Sequence, residues 1–175
     1  FSLQNPAIFG EQIRAILRAG VDADLRIMFP MISSLDDFCQ ARAVVLESIE
    51  TLTRQGIAHN DKPKLGMMVE LPAVVNLMDE FAKEADFFSI GTNDFIQFML
   101  GVDRTNESVA DFYLPHHPAV LRGLSTVVRS ALRNGREVSV CGDMAHEQKY
   151  VPFLLGIGVR ALSVDPSYLL RTQQT

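Results

Sequence analysis

Three short polar clusters each close a hydrophobic run. Glu70 ends KLGMMVE, Asn93-Asp94 ends DFFSIGTND, and Cys141 ends EVSVC before Gly142-Asp143. Two carboxylates, an amide and a thiol thus stand at the exits of segments that read as strands. In parallel α/β folds, residues just past the carboxyl ends of strands converge on one face, so a single shared site is expected. Glu70 and Asp94 are hard oxygen donors of the kind Mg2+ prefers. Two carboxylates are too few to enclose an ion, so positions would remain for water and for an anionic substrate. Each carboxylate also has a local alternative, because Asp94 stands where it can cap the following helix and Glu70 precedes Pro72. Taken together, with Asn93 alongside, they point to a site.

Other residues are weighed in the same way. Gly91-Thr92-Asn93-Asp94 leads into a helix whose first N–H groups suit an anionic oxygen, although an ordinary strand-to-helix turn uses the same residue types. Cys141 is either inert packing or, at a strand exit, a proton donor or nucleophile. Arg104, in GVDRTN, can hold a carboxylate or phosphate; it can equally be an exposed loop arginine or a partner of Asp103. His116 and His117 suit a loop or capping role better than a phosphoryl-accepting one. His59 and His146 read as surface residues, Cys39 as structural, and Met67-Met68 as core.

The elements that must position these groups alternate throughout. Helix patterns run from Asn5-Pro6 to Gly20 and from Ser34, with Asp37 completing a capping box, to Gly56. Others run from Pro72 through Phe81, from Asp94 to Leu100, from Pro118 to Asn134-Gly135, over 147–157, and over a last turn at 166–171. Strand patterns cover 25–31, LGMMVE, 86–91, EVSVC and 160–164. The polar stretch from Asp103 to Pro118 is long enough to be a functional loop. This order implies parallel strands joined by right-handed crossovers. An open doubly wound sheet is possible. Polar groups at every strand exit and the absence of a glycine-rich first turn favour part of a (β/α)8 TIM barrel. A whole barrel needs roughly 250 residues. The chain has 175, so it is expected to hold roughly strands 4 to 8, with the N-terminal strands missing from this fragment.

The composition is that of a soluble globular protein, 47% hydrophobic and 21% charged. A net charge of -5 without a basic patch argues against nucleic acid. The apolar runs are too short for a membrane span. Two cysteines provide no disulfide framework, and a reducing cytoplasm is the default.

GMMVELPA, DFFSIGTNDFIQFMLGVDRTN, HPAVLR and VCGDMA resemble the phosphoenolpyruvate-binding barrel of enzyme I of the bacterial phosphotransferase system. The resemblance runs from QIRAILRA to GIGVRALSV, so residues 1–175 are expected to be the C-terminal part of that barrel domain. VSVCGDMA and ADFYLPHHPAVLRGL look closest to the nitrogen-related paralogue. Pyruvate phosphate dikinase and phosphoenolpyruvate synthase share the barrel and are the alternative, as is a dimerising regulatory module. The resemblance implies Mg2+-dependent transfer of the phosphoryl group from phosphoenolpyruvate to a histidine on another domain, then to a histidine-phosphorylatable carrier protein, with pyruvate released. It implies Glu70 and Asp94 as metal ligands. Asn93, Asp94 and Arg104 would bind substrate, and Cys141 would be the general acid that protonates the enolpyruvate carbon. A homodimer is implied for the whole protein.

Two departures stand out. The family has CGEMAG where this chain has CGDMAH, so Asp143 is shorter and His146 replaces glycine; Asp143 is still expected to orient its neighbours. TNDF replaces TNDL. The family's further substrate-binding arginines and its phosphoryl-accepting histidine lie upstream, so this stretch alone is expected to bind phosphoenolpyruvate weakly and to lack phosphotransfer activity.

Overall fold

Proline or a capping side chain starts four of the seven α-helices, and short apolar runs form the strands. The computed structural model describes residues 1–175. Helix α1 (Pro6–Ala19) takes Pro6 at its first position, where no N–H is needed, and buries Phe9, Ile13 and Leu17 at helical spacing. After β1 (Arg26–Phe29), α2 (Leu35–Arg54) opens on the expected capping box between Ser34 and Asp37. Then come β2 (Lys64–Val69), α3 (Met78–Glu84), β3 (Phe87–Gly91), α4 (Thr92–Leu100), α5 (Pro118–Arg133), β4 (Glu137–Cys141), α6 (Val151–Ile157), β5 (Ala161–Leu162) and α7 (Leu169–Gln173).

The five strands form one parallel sheet in the order β1-β2-β3-β4-β5. Every neighbour is the next strand in the chain, and the order never reverses. Right-handed crossovers that always step the same way place all the helices on one face. A doubly wound sheet needs a reversal to cover its second face, so this is the winding of a (β/α)8 barrel section. Burial follows the same division. Ile27, Phe29, Leu65, Met67, Val69, Phe88, Ile90, Val138 and Val140 point to the helices and enter the main core. The alternate residues Met28, Met68, Ser139 and Cys141 are only half-buried and line the concave side. At its lower end Arg26 pairs with Glu137 and lies over the Phe87 ring, 5.7 Å from its centroid.

The structure departs from the sequence expectations at five places, one being the helix expected over 147–157, which begins only at Val151. Strand β1 stops at Phe29 because Pro30 has no N–H to pair, and Met31 takes a left-handed φ of 53°. Pro72 opens a 3₁₀ turn over Pro72–Leu77 rather than a continuous helix; Val74, Val75 and Asn76 are poor helix formers, and the α-helix begins only at Met78. Helix α4 starts at Thr92, immediately after β3, rather than at Asp94. The last strand pairs only over Ala161–Leu162, at the sheet edge.

Candidate active site

Register brings the polar strand exits together. Gly91 lies opposite Cys141, and Val69 lies opposite Ile90, which sets Glu70 beside Gly91. Because Val69, Ile90 and Val140 face the helices, Glu70, Gly91 and Cys141 all face the concave side, on three adjacent strands spaced about 4.8 Å apart. Gly91 makes this approach possible. A Cβ there would stand 3.0 Å from Glu70 Cγ and 2.9 Å from Met68 Sδ.

Glu70 is only 5% exposed. Its Oε2 accepts a 2.8 Å hydrogen bond from the Met31 N–H, which the left-handed turn after β1 directs toward it. It caps no helix, and the following Pro72 turn has no side-chain cap. Asp94 sits in the first turn of α4, where the helix dipole favours an anion, but it makes no capping bond either; the residue at the cap position is Gly91. The local alternatives for both carboxylates therefore give way. Both carboxylates act on the Cys141 thiol from nearby, each disfavouring its ionisation.

The thiol is built to keep its proton. Burial is the main cause that pushes Cys141 above the ordinary cysteine value, and the Glu70 and Asp94 charges push the same way. The Ser89 hydroxyl donates to Sγ at 4.0 Å and offsets part of this shift. The Sγ–H in turn points to Ile90 O at 3.5 Å. A thiol of this kind suits a proton donor better than a nucleophile, which needs a lowered pKa.

The turn after β4 is locked to the start of α4. Thr92, fully buried, donates from Oγ1 to Cys141 O at 2.7 Å. Asn93 Oδ1 accepts the Asp143 N–H at 2.9 Å. Arg104 reaches back over the site to Asp143 at 3.9 Å, with both side chains substantially exposed. Asp143 thus lies within ion-pair reach of Arg104. The half-buried Tyr113 donates to Asn93 O at 3.3 Å. Burial pushes its phenol up to about 12, the Arg104 charge lowers it, and the Asp143, Asp94 and Glu147 charges raise it. Tyr113, Arg104, Asp94 and Asp143 therefore share one electrostatic neighbourhood.

All of Glu70, Asn93, Asp94, Arg104 and Cys141 are thus drawn to one end of the sheet. His117 caps α5, its Nδ1 accepting from Ala119 N. His146 is not a free surface residue but stacks on Tyr168, with ring centroids 3.9 Å apart. Sequence reasoning passed over Ser89, Gln97, Tyr113 and the role of Gly142. Ser89 had a signal, a buried hydroxyl inside the apolar FFSIG run. Tyr113 had none, since its partner lies 20 residues earlier in the chain.

Fold and site together define a barrel-type α/β domain with an acidic, thiol-bearing centre at the carboxyl ends of its strands. The chain belongs to the PEP-utilising enzyme, PEP-binding domain family, whose model it matches over residues 1–175. It is similar to the phosphoenolpyruvate-protein phosphotransferase of Bacillus sp. (strain S), at 49% identity over 168 residues, covering 96% of this chain and 29% of that protein. It is 44% identical to the Bacillus subtilis (strain 168) phosphoenolpyruvate-protein phosphotransferase over 173 residues, 98% of this chain and 30% of that one. The chain therefore spans less than a third of the length of these relatives. Among solved structures, a citrate lyase from Burkholderia xenovorans LB400 superposes with a TM-score of 0.69 at 20% identity, covering 93% of this chain and 52% of that one. Haloferax volcanii malate synthase gives 0.59 at 14% identity, covering 83% and 42%. These likenesses show the shared barrel-type fold.

Proposed function

We propose that this chain is the substrate-binding barrel segment of a phosphoenolpyruvate-protein phosphotransferase. The observation that carries the reading is the convergence of Glu70, Asn93-Asp94 and Cys141 on one concave end, with the thiol held protonated. The donor set fits a divalent cation. Glu70 is buried, with one oxygen engaged by Met31 N–H, and Asp94 stands in the first turn of α4, directly after the adjacent strand β3. Two carboxylates would leave positions for water and substrate oxygens, as Mg2+ requires. When bound, Mg2+ would neutralise charge on the phosphate and enolate oxygens. Glu70 and Asp94 would hold it, while Asn93 and Arg104 would hold the anionic groups of phosphoenolpyruvate. Arg104 is suited to this by its planar fork of donors.

In the reaction the bond from phosphorus to the enol oxygen breaks and a bond from phosphorus to a histidine nitrogen forms, the histidine lying elsewhere in the parent protein. The enolate left behind takes the proton from Cys141 Sγ onto its terminal carbon, giving pyruvate and a thiolate that solvent reprotonates. Positioning and charge neutralisation supply most of the acceleration in such transfers. The wider reading is a homodimer in the cytoplasm, with a histidine-bearing carrier protein as the next acceptor. No helix is long and apolar enough to cross a membrane.

The test is to incubate the full-length parent with labelled phosphoenolpyruvate and Mg2+, beside its Glu70→Ala variant, without nucleotide. Acid-labile phosphohistidine with pyruvate release in the parent, lost in the variant and on chelation, is the expected result. Labelling that requires a nucleotide would point instead to a dikinase or synthase barrel.

A further inference from the structure

The strap between α4 and α5, residues 101–117, carries Arg104 and is largely self-contained. Its own turns satisfy it: Asn106 N donates to Asp103 O, Ala110 N to Asn106 O and Tyr113 N to Ala110 O. The Thr105 N–H and hydroxyl both donate to Asp103 Oδ1. Asp103 through Ser108 are exposed. Besides the long Arg104–Asp143 ion pair, side chains tie the strap to the site at two points. On the outgoing arm, the Gln97 carbonyl accepts from Gly101 N and from Val102 N, the latter at 3.0 Å, and its Oε1 accepts from Arg104 N at 3.2 Å. On the returning arm, Tyr113 donates to Asn93 O at 3.3 Å.

Both ties end on α4, at Asn93 and Gln97. These are four residues apart and therefore stacked on one face of the helix. The same first turn of α4 carries Asn93 and Asp94. An exposed ion pair at 3.9 Å orients a guanidinium weakly, so the backbone of Arg104 must be placed by other bonds. We propose that Gln97 and Tyr113 are positioning residues, a two-point latch that fixes the Arg104 strap to the helix bearing the substrate- and metal-binding turn. This inference rests on the reading of Arg104 as a phosphoenolpyruvate-binding residue.

The test uses the full-length parent with Mg2+ and phosphoenolpyruvate, comparing Tyr113→Phe, Gln97→Leu, Arg104→Ala and the two double variants with Arg104→Ala. Loss of one bond of the latch is expected to raise KM about fivefold with kcat within about twofold, the pattern of lost uniform binding. Tyr113→Phe keeps the ring and its packing, so its melting temperature should match the parent even where Gln97→Leu folds poorly. In the Arg104→Ala background both substitutions should add nothing further, because their effect passes through Arg104. An unchanged KM in Tyr113→Phe, or a full extra loss on top of Arg104→Ala, overturns the latch while leaving the role of Arg104 intact. An unchanged KM in Arg104→Ala itself overturns the substrate role on which the latch depends.

Discussion

Replacing Gly142 with alanine strikes the one backbone position on which the thiol's turn depends. Gly142 has φ 85° and ψ -173°, a region essentially reserved for glycine and costing other residues about 1–3 kcal/mol. Space adds to the conformational cost. A Cβ there would lie 2.5 Å from Thr92 Oγ1 and 2.8 Å from Asn93 Oδ1. Those atoms form the two bonds that lock the turn, Thr92 to Cys141 O and Asp143 N to Asn93. Thr92 is fully buried, so displacing its hydroxyl leaves an acceptor unmatched at a further cost of about 1–3 kcal/mol. Gly142→Ala is therefore expected to destabilise the barrel by about 3–4 kcal/mol. The assay is denaturant unfolding of the parent and variant, followed by a probe of the barrel. A companion variant separates the causes. In an Asn93→Ala background one of the two close approaches is gone, so the extra penalty of Gly142→Ala should shrink by about 1 kcal/mol. A penalty below about 1 kcal/mol for Gly142→Ala alone would refute the reasoning, because neither the backbone region nor the crowding would then be felt.

Cys141→Ser should leave phosphoenolpyruvate affinity near that of the parent while lowering pyruvate release by roughly 10²–10⁴-fold, the usual worth of a positioned acid; equal losses in affinity and turnover would count against the acid role. Because burial raises the Cys141 thiol, its alkylation by a neutral reagent should stay slow at pH 8 and rise only above the ordinary cysteine value, and Ser89→Ala should move that rise to still higher pH; fast labelling at neutral pH would contradict this. Asp79 accepts from Arg133, Ser130 and Asn134, joining α3 to α5. The Arg133 bond first, then the Ser130 hydroxyl, lower its carboxyl from 3.8 to about 2. Its contribution is complete above the ordinary value and is lost as the pH falls from there through about 2, because over that window the unfolded state binds a proton that the folded state does not. The melting-temperature gap between the parent and Asp79→Asn should therefore hold at pH 6 and close toward pH 2.

Much of the architecture was legible in the residues because its signals are local. The Ser34–Asp37 capping box, Pro6 and Pro118 at helix starts, and the apolar runs LGMM, FFSI and EVSV each act within a few residues. Polar residues at the ends of those runs marked Glu70, Asn93, Asp94 and Cys141, since a parallel sheet sends its strand exits to one face. Where local propensity competed with tertiary demands, the reading slipped. Pro72–Leu77 coils more tightly than an α-helix, and the last strand shrinks to Ala161–Leu162 at the edge of the sheet.

What the sequence by itself determined was the order of strands and helices and which residue types stand at each strand exit. Only the tertiary structure decided that the winding never reverses, that Gly91 lies opposite Cys141, and that Met31 N–H, 39 residues before Glu70, turns to meet its carboxylate. It also decided that Tyr113 returns to Asn93 and that Gln97 holds the backbone of Arg104. The physical reason is one of range. Periodicity and capping are settled by neighbours along the chain, whereas register, the reach of a strap and the burial that keeps a thiol protonated exist only once distant segments have packed together.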